Sequence, residues 1–290
     1  MGRATSFACI VLSQGNRPDE LRLALESLLG QRGVDTDIVV VGNGWEPTDL
    51  PLGVRGVTLD EDVGIPAGRN AGVPHTGGDL LLFLDDDASL ADSDALERIA
   101  AKFAGDSRLG LLQLRVVPRS GGKPRRDWVP RLRVGDPTRS SDVTAVWEGA
   151  VVIPRSVFED AGPWPGDFRH AHEGIDLAWR VMDAGYRVRY AGDVAALHPA
   201  QPAPMPHSYS FYFGARNRVW LARRHLPLPL GAIYVLTFAL RTAVRMRSLR
   251  HVREAARGYL DGMRGPCGRR HKLRARTLVR MMLAGRPPIM

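Results

Sequence analysis

Five consecutive apolar residues, Leu80 to Leu84, run without polar interruption into Asp85-Asp86-Asp87. A strand without polar alternation must be covered on both faces, so it belongs in a sheet lying between layers of helix. Phe7 to Leu12 and Ile38 to Val41 have the same character. Between these runs lie amphipathic segments. Leu21, Ala24, Leu25 and Leu28 form one stripe after a first turn of Pro18, Asp19 and Glu20, and Leu96, Ile99, Ala100 and Phe103 form another within about Asp94 to Phe103. The pattern predicts an α/β fold with a mostly parallel, Rossmann-like sheet flanked by helices. Trp147 to Ile153 and Arg187 to Tyr190 read as further strands, and Ile175 to Ala184 as a helix closed by Gly185. Residues 118–142 are rich in Arg, Pro, Gly and Asp without a period and read as a long surface loop. Pro199 to Pro206 reads as a linker, which divides the chain into an α/β domain, 1–205, and a basic helical tail, 206–290.

Ligands of open α/β sheets bind at the carboxyl ends of the strands, where loops and helix N-termini converge. Asp85, Asp86 and Asp87 stand at such an end. Three adjacent carboxylates repel one another unless a cation neutralises them, and a hard divalent ion that also bridges diphosphate oxygens would do so. Asp85 and Asp87 are therefore candidate metal ligands. Just upstream, Asp62 to Gly72 places three glycines and the Arg69-Asn70 pair where backbone can approach a phosphate and a guanidinium can bind one.

The net charge of +9 is unevenly spread. Residues 206–290 hold eighteen Lys and Arg against Glu254 and Asp261, so residues 1–205 are acidic on balance. A tail of that charge suits an anionic membrane surface. Leu228 to Leu240 is apolar but too short to span, since a span needs about twenty residues, and it contains Pro229 and Gly231. It reads as an interfacial or re-entrant segment framed by Arg223, Arg224, Arg241, Arg245 and Arg247, with Trp220 and Tyr234 as amphipathic anchors. Aromatics are not regularly interleaved with the arginines beyond Tyr259, so no nucleic-acid partner is expected. Two distant cysteines, Cys9 and Cys267, and no export-signal pattern fit a reducing, cytoplasmic setting, peripheral on the inner face of the plasma membrane.

Taken in order, Asn-Arg-Pro after the first strand, Val-Val-Val-Gly-Asn-Gly, Gly-Arg-Asn-Ala-Gly, Phe-Leu-Asp-Asp-Asp, Trp-Glu-Gly-Ala and His-Glu-Gly-Ile-Asp-Leu-Ala-Trp-Arg resemble the family 2 glycosyltransferases of the GT-A fold across residues 6 to about 200. The resemblance implies an inverting, metal-dependent transfer of a sugar from a nucleotide-sugar donor to a glycan or lipid-linked acceptor in cell-envelope polysaccharide synthesis. It implies donor contacts from Ser13, Asn16, Arg17, Asn43, Arg69, Asn70, Asp85 and Asp86. Asp85 and Asp87 would hold the metal, completed by His198, whose softer imidazole favours Mn²⁺ over Mg²⁺. Trp147, Glu148 and His172 would line the acceptor side.

Two departures stand out. Gly42 occupies the place where relatives carry an Asp that reads the base, and Gly174 follows Glu173 where relatives carry the catalytic Asp. The general base is therefore expected to be Glu173 or Asp176, which share a helix face with Arg180. The competing expectations are a sugar-phosphate nucleotidyltransferase, which would show a glycine-rich Arg/Lys loop after the first strand where Ser13 to Arg17 stands, and a nucleic-acid-binding module built on the tail.

Overall fold

A computed structural model describes residues 5–200, 208–245, 248–285 and 287–288. Along the chain, β1 (Ser6–Ser13) is followed by α1 (Pro18–Leu29), β2 (Asp35–Asn43), β3 (Val54–Leu59), α2 (Ile65–Gly72), β4 (Leu80–Asp85), β5 (Ser89–Leu90) and α3 (Ala95–Gly105). Then come β6 (Leu109–Pro118), β7 (Ser141–Asp142), β8 (Ala150–Pro154), α4 (Arg155–Ala161), α5 (Glu173–Asp183) and β9 (Arg187–His198). The chain ends in α6 (Ser208–His225), α7 (Leu228–Arg245), α8 (Leu249–Arg264) and α9 (Ala275–Leu283).

The strands form one sheet in the order β3-β2-β1-β4-β8-β6-β9-β5, with β7 also on β9. The expected α/β layering is present, and β3-β2-β1-β4 are parallel throughout. Beyond β4 the sheet is mixed, because β8 runs antiparallel between β4 and β6. Successive residues of β4 point to opposite faces, and both faces are covered. Leu81 and Phe83 join a cluster with Ile10, Val39, Trp179 and Trp220, while Leu80, Leu82 and Leu84 pack with Phe7, Leu25 and Ile99 from the α1/α3 side. That two-sided burial is why the run needed no polar residue.

Residues 118–142 are mostly irregular, but the segment is not all surface. Trp128 and Val129 are buried, and the Gln113 side chain donates to the Trp128 carbonyl at 2.7 Å. The indole supplies apolar area that the surrounding Arg and Pro composition masks.

The tail departs further from expectation. Trp220 and Tyr234 are core residues, 8% and 2% exposed, and do not reach outward as anchors. Trp220 packs against Phe168, and Tyr234 against Trp179. Arg223 donates to the carbonyls of Gly262 and Gly265 at 2.6 Å, and Arg224 pairs with Asp167. Arg223 and Arg224 thus hold carbonyls within the protein, Arg224 through that of Cys267, with the exposed Asp167 carboxylate as its counter-charge. Leu228–Arg245 is one continuous helix with Pro229 in its first turn, where a proline costs no hydrogen bond, so no re-entrant turn is formed. Arg247 and the linker residues 201–206 lie outside the described residues, as does the side chain of Arg245.

Candidate active site

Because β1, β2 and β4 are parallel, their carboxyl ends meet at one edge: Leu12 is opposite Asp85 and Ser13 opposite Gly42. β8 begins at the same edge, with the Asp85 amide donating to the Gly149 carbonyl at 2.9 Å. β9 ends there too, at His198, opposite Pro118 of β6. The edge gathers chemistry from distant parts of the chain.

One ligand atom each from Asp85, Asp87 and His198 lies within 4.8 Å of the others. His198 Nε2 stands 3.0 Å from Asp87 Oδ1, and Arg17 donates to the other Asp87 oxygen. Burial works against charge on Asp87, but the hydrogen bond and charge of His198, with Arg17 beside them, outweigh it and lower the carboxyl pKa. Burial likewise opposes a charged His198, yet Asp87 raises its pKa. Asp86 turns inward, accepts a hydrogen bond from Ser13 Oγ at 2.7 Å, and is pushed up to about 6, chiefly by burial. Two carboxylates and an imidazole at one open edge are a donor set that fits a divalent cation of the Mn²⁺ type. Ser13 and Arg17 border this group, and Asn16 is exposed on the loop after β1.

Other residues expected to touch the donor are occupied structurally. Asn43 donates to Asp62 Oδ1 at 2.7 Å and accepts from the Val63 amide at 2.9 Å, closing the loop ahead of α2. Asn70 exchanges two hydrogen bonds with the Trp164 backbone, at 2.8 and 3.0 Å. Arg69 is 3% exposed, lies over the Trp164 ring, donates to Asp85 Oδ1 at 2.6 Å and approaches Glu173 at 3.8 Å. It is a buried brace between two acids, so it positions Asp85.

Trp147 stands edge-on to His198, with centroids 5.2 Å apart, and Trp128 does the same from the irregular segment. Gly149 allows this crowding, since a Cβ there would sit 2.0 Å from the Trp147 ring and 2.4 Å from Asp85 Oδ2. Glu148 Oε1 accepts from the Gly174 amide at 2.7 Å. His172, in the left-handed region before α5, lies 3.0 Å from Arg218 Nε. Trp128 and Arg119, which donates to the Asp87 carbonyl at 3.3 Å, were not singled out in the sequence. A tryptophan inside an otherwise polar, proline-rich segment was the available signal.

Asp176 is held structurally. The helix places it on one face with Glu173 and Arg180, and its oxygens are taken by Arg180 Nε at 2.8 Å and His225 Nε2 at 2.7 Å. It is 2% exposed and faces the tail. Gly42 has a physical basis: a Cβ at that position would lie 1.9 Å from the Trp45 carbonyl oxygen. Gly42→Asp is therefore expected to cost about 1–3 kcal/mol through overpacking, measured as a lowered thermal unfolding temperature. Unfolding at the unmodified temperature would refute the clash.

The sequence profile described as Glycosyl transferase family group 2 matches residues 80–252. Glycosyltransferase AglE of Haloferax volcanii is 25% identical over 235 residues, covering 75% of each chain. The O-antigen chain rhamnosyltransferase RfbN of Salmonella typhimurium is 22% identical over 197 residues; the match spans 62% of this chain and 62% of that relative's length. Among solved structures, the mannosyltransferase PcManGT from Pyrobaculum calidifontis, in complex with GDP-Man and Mn²⁺, superposes with a TM-score of 0.59 at 18% identity, over 97% of this chain and 85% of that one. With the profile covering more than half its length and the sheet edge arranged as described, the chain belongs to Glycosyl transferase family group 2.

Proposed function

We propose that the protein is an inverting, metal-dependent glycosyltransferase that moves a sugar from a nucleotide-sugar donor to a hydroxyl of a glycan or lipid-linked acceptor in cell-envelope polysaccharide synthesis. The observation that carries this reading is the convergence of Asp85, Asp87 and His198 at the carboxyl edge, with Arg17 and Ser13 beside them. The RfbN relative supports an envelope glycan as product, and the GDP-Man and Mn²⁺ of PcManGT support a nucleotide-sugar and a cation. A bound divalent ion would neutralise the donor diphosphate as it departs. Arg17 adds a further positive charge beside that position, and Arg69 fixes the angle of Asp85. Trp147 offers an aromatic face where acceptor and donor meet. Proton removal from the acceptor hydroxyl falls to the carboxylates at the start of α5, Glu173 and its neighbour Glu148. Nucleoside diphosphate release across a donor panel with Mn²⁺ or Mg²⁺ tests the assignment. Release of pyrophosphate instead would indicate nucleotidyl transfer.

Membrane docking through the tail belongs to the same proposal, with its surface redrawn. Among the described residues no helix is long and apolar enough to cross a membrane. On α7, Ile233, Leu236, Leu240 and Val244 form an exposed stripe at helical spacing, with Arg241 exposed within it. Such a face suits the interface of an anionic leaflet. The double variant Leu236→Glu/Leu240→Glu is expected to reduce sedimentation with anionic vesicles about tenfold or more. Unchanged sedimentation would remove this part of the proposal.

A further inference from the structure

We infer that Glu148, projecting from the edge just ahead of β8, is the catalytic base, and that Glu173 positions and tunes it. The inference rests on the transferase reading above and assigns the proton-accepting atom within it.

The geometry begins with a glycine. Gly174 sits in the first turn of α5 at the carboxyl edge, and a Cβ built there would lie 2.5 Å from the Val146 carbonyl oxygen, 2.6 Å from Glu148 Oε1 and 2.7 Å from Glu148 Cγ. The Glu148 side chain fills the space that a residue-174 side chain would otherwise take, and the Gly174 amide fixes it by donating to Oε1 at 2.7 Å. The Val146 carbonyl and the Glu148 side chain together leave no room for a side chain at Gly174. The two carboxylates of this corner differ in access. Glu173 is 3% exposed, one oxygen lies 3.8 Å from Arg69, and the other finds no hydrogen-bond partner among the described residues. Glu148 as a residue is only half-buried, with Oε1 held by the helix amide. It is next to Gly149, whose backbone abuts Asp85, so it borders the region of the donor diphosphate.

The groups facing the Glu148 carboxyl are Glu173 from α5, Arg69 from α2, the Gly174 amide and its own backbone amide. Burial first, and the Glu173 charge second, push the Glu148 carboxyl up to about 8, against the opposing pull of Arg69. Such a group is a strong base once ionised, and its ionised fraction grows as pH rises toward 8. In the step, a Glu148 oxygen takes the acceptor hydroxyl proton while that hydroxyl oxygen bonds to the anomeric carbon. The anomeric carbon–diphosphate bond breaks, and its electron pair leaves on the nucleoside diphosphate. The proton ends on Glu148.

Glu148→Gln tests this, because Gln keeps an oxygen for the Gly174 amide and thus any purely structural role. With Mn²⁺ and the donor that the unmodified protein turns over, kcat is expected to fall about 10²–10⁴-fold with donor KM little changed. Glu173→Gln is expected to retain more activity and to shift the rising limb of the kcat–pH profile to lower pH, since a negative neighbour is lost. Glu148→Gln retaining kcat within about threefold, or Glu173→Gln leaving the profile unmoved, overturns the inference while the transferase reading stands. Absence of turnover by the unmodified protein overturns that reading first.

Discussion

Replacing Asp87 with Ala is expected to lower turnover about a thousandfold, equivalent to about 4 kcal/mol of transition-state stabilisation. Asp87 is the hub of the edge: His198 and Arg17 both converge on its carboxylate, and a ligand atom of Asp85 lies within 4.8 Å of those of Asp87 and His198. Removing it leaves two of the three candidate ligand atoms and leaves Arg17 with the more distant Asp86 carboxylate, at 3.6 Å. The loss should therefore combine weaker donor binding with slower chemistry, seen as a raised donor KM and a lowered kcat in nucleoside diphosphate release. Excess chelator should silence the unmodified protein, with Mn²⁺ restoring it. Full turnover in chelator, or an Asp87→Ala protein of normal rate, would exclude the cation from the reaction.

Asp176→Ala is expected to destabilise the protein by about 3–5 kcal/mol, because it strips a buried ion network of its shared anion. Asp176 joins Arg180 at 2.8 Å and His225 at 2.7 Å, with Arg224 at 3.8 Å, and so ties α5 to α6. Without it, buried cationic groups from both helices lose their counter-charge. At roughly 2–4 °C per kcal/mol, the unfolding temperature should fall by about 10 °C. The pH dependence has a definite sign. Burial alone would raise the Asp176 carboxyl, but Arg180 and His225 outweigh it and hold the pKa below the ordinary carboxylate range. A depressed native pKa means that the stabilisation is complete above the unfolded value near 4 and is lost as pH falls through the native value. The difference in stability between the unmodified protein and Asp176→Ala should thus persist from about pH 5 to 8 and shrink in acid. A variant that unfolds at the unmodified temperature would show that this ion network does not hold the tail.

Asp176 also illustrates what sequence reasoning can and cannot reach. The helical period correctly places Glu173, Asp176 and Arg180 on one face, yet periodicity says nothing about what that face meets. It meets His225, forty-nine residues away. Arg69 and Asn70 follow the same rule: glycine-rich composition predicts a close backbone approach, and Gly68 and Gly72 approach Leu12, Ile10 and Val41 of the sheet, while the Asn70 and Arg69 side chains bond the Trp164 backbone and Asp85. β6 was missed although Leu109–Pro118 is largely buried, because its arginine, glutamine and proline break the uniform apolar signature that identified β1 and β4.

What the sequence determined by itself was the part encoded locally. Uninterrupted apolar runs demand a two-sided sheet, an acidic tip on one of them demands a neutralising partner, and short motifs in a fixed order resemble a transferase family. The tertiary structure decided which of those side chains face the open edge and which face protein. It turned Trp220, Tyr234 and Arg224 inward, where burial and paired hydrogen bonds outweigh exposure to solvent. It also brought Glu148 into the space beside Gly174, because β8 and α5 meet there only once the sheet has closed. Direction and neighbourhood are long-range properties, fixed by packing between segments that no local period relates.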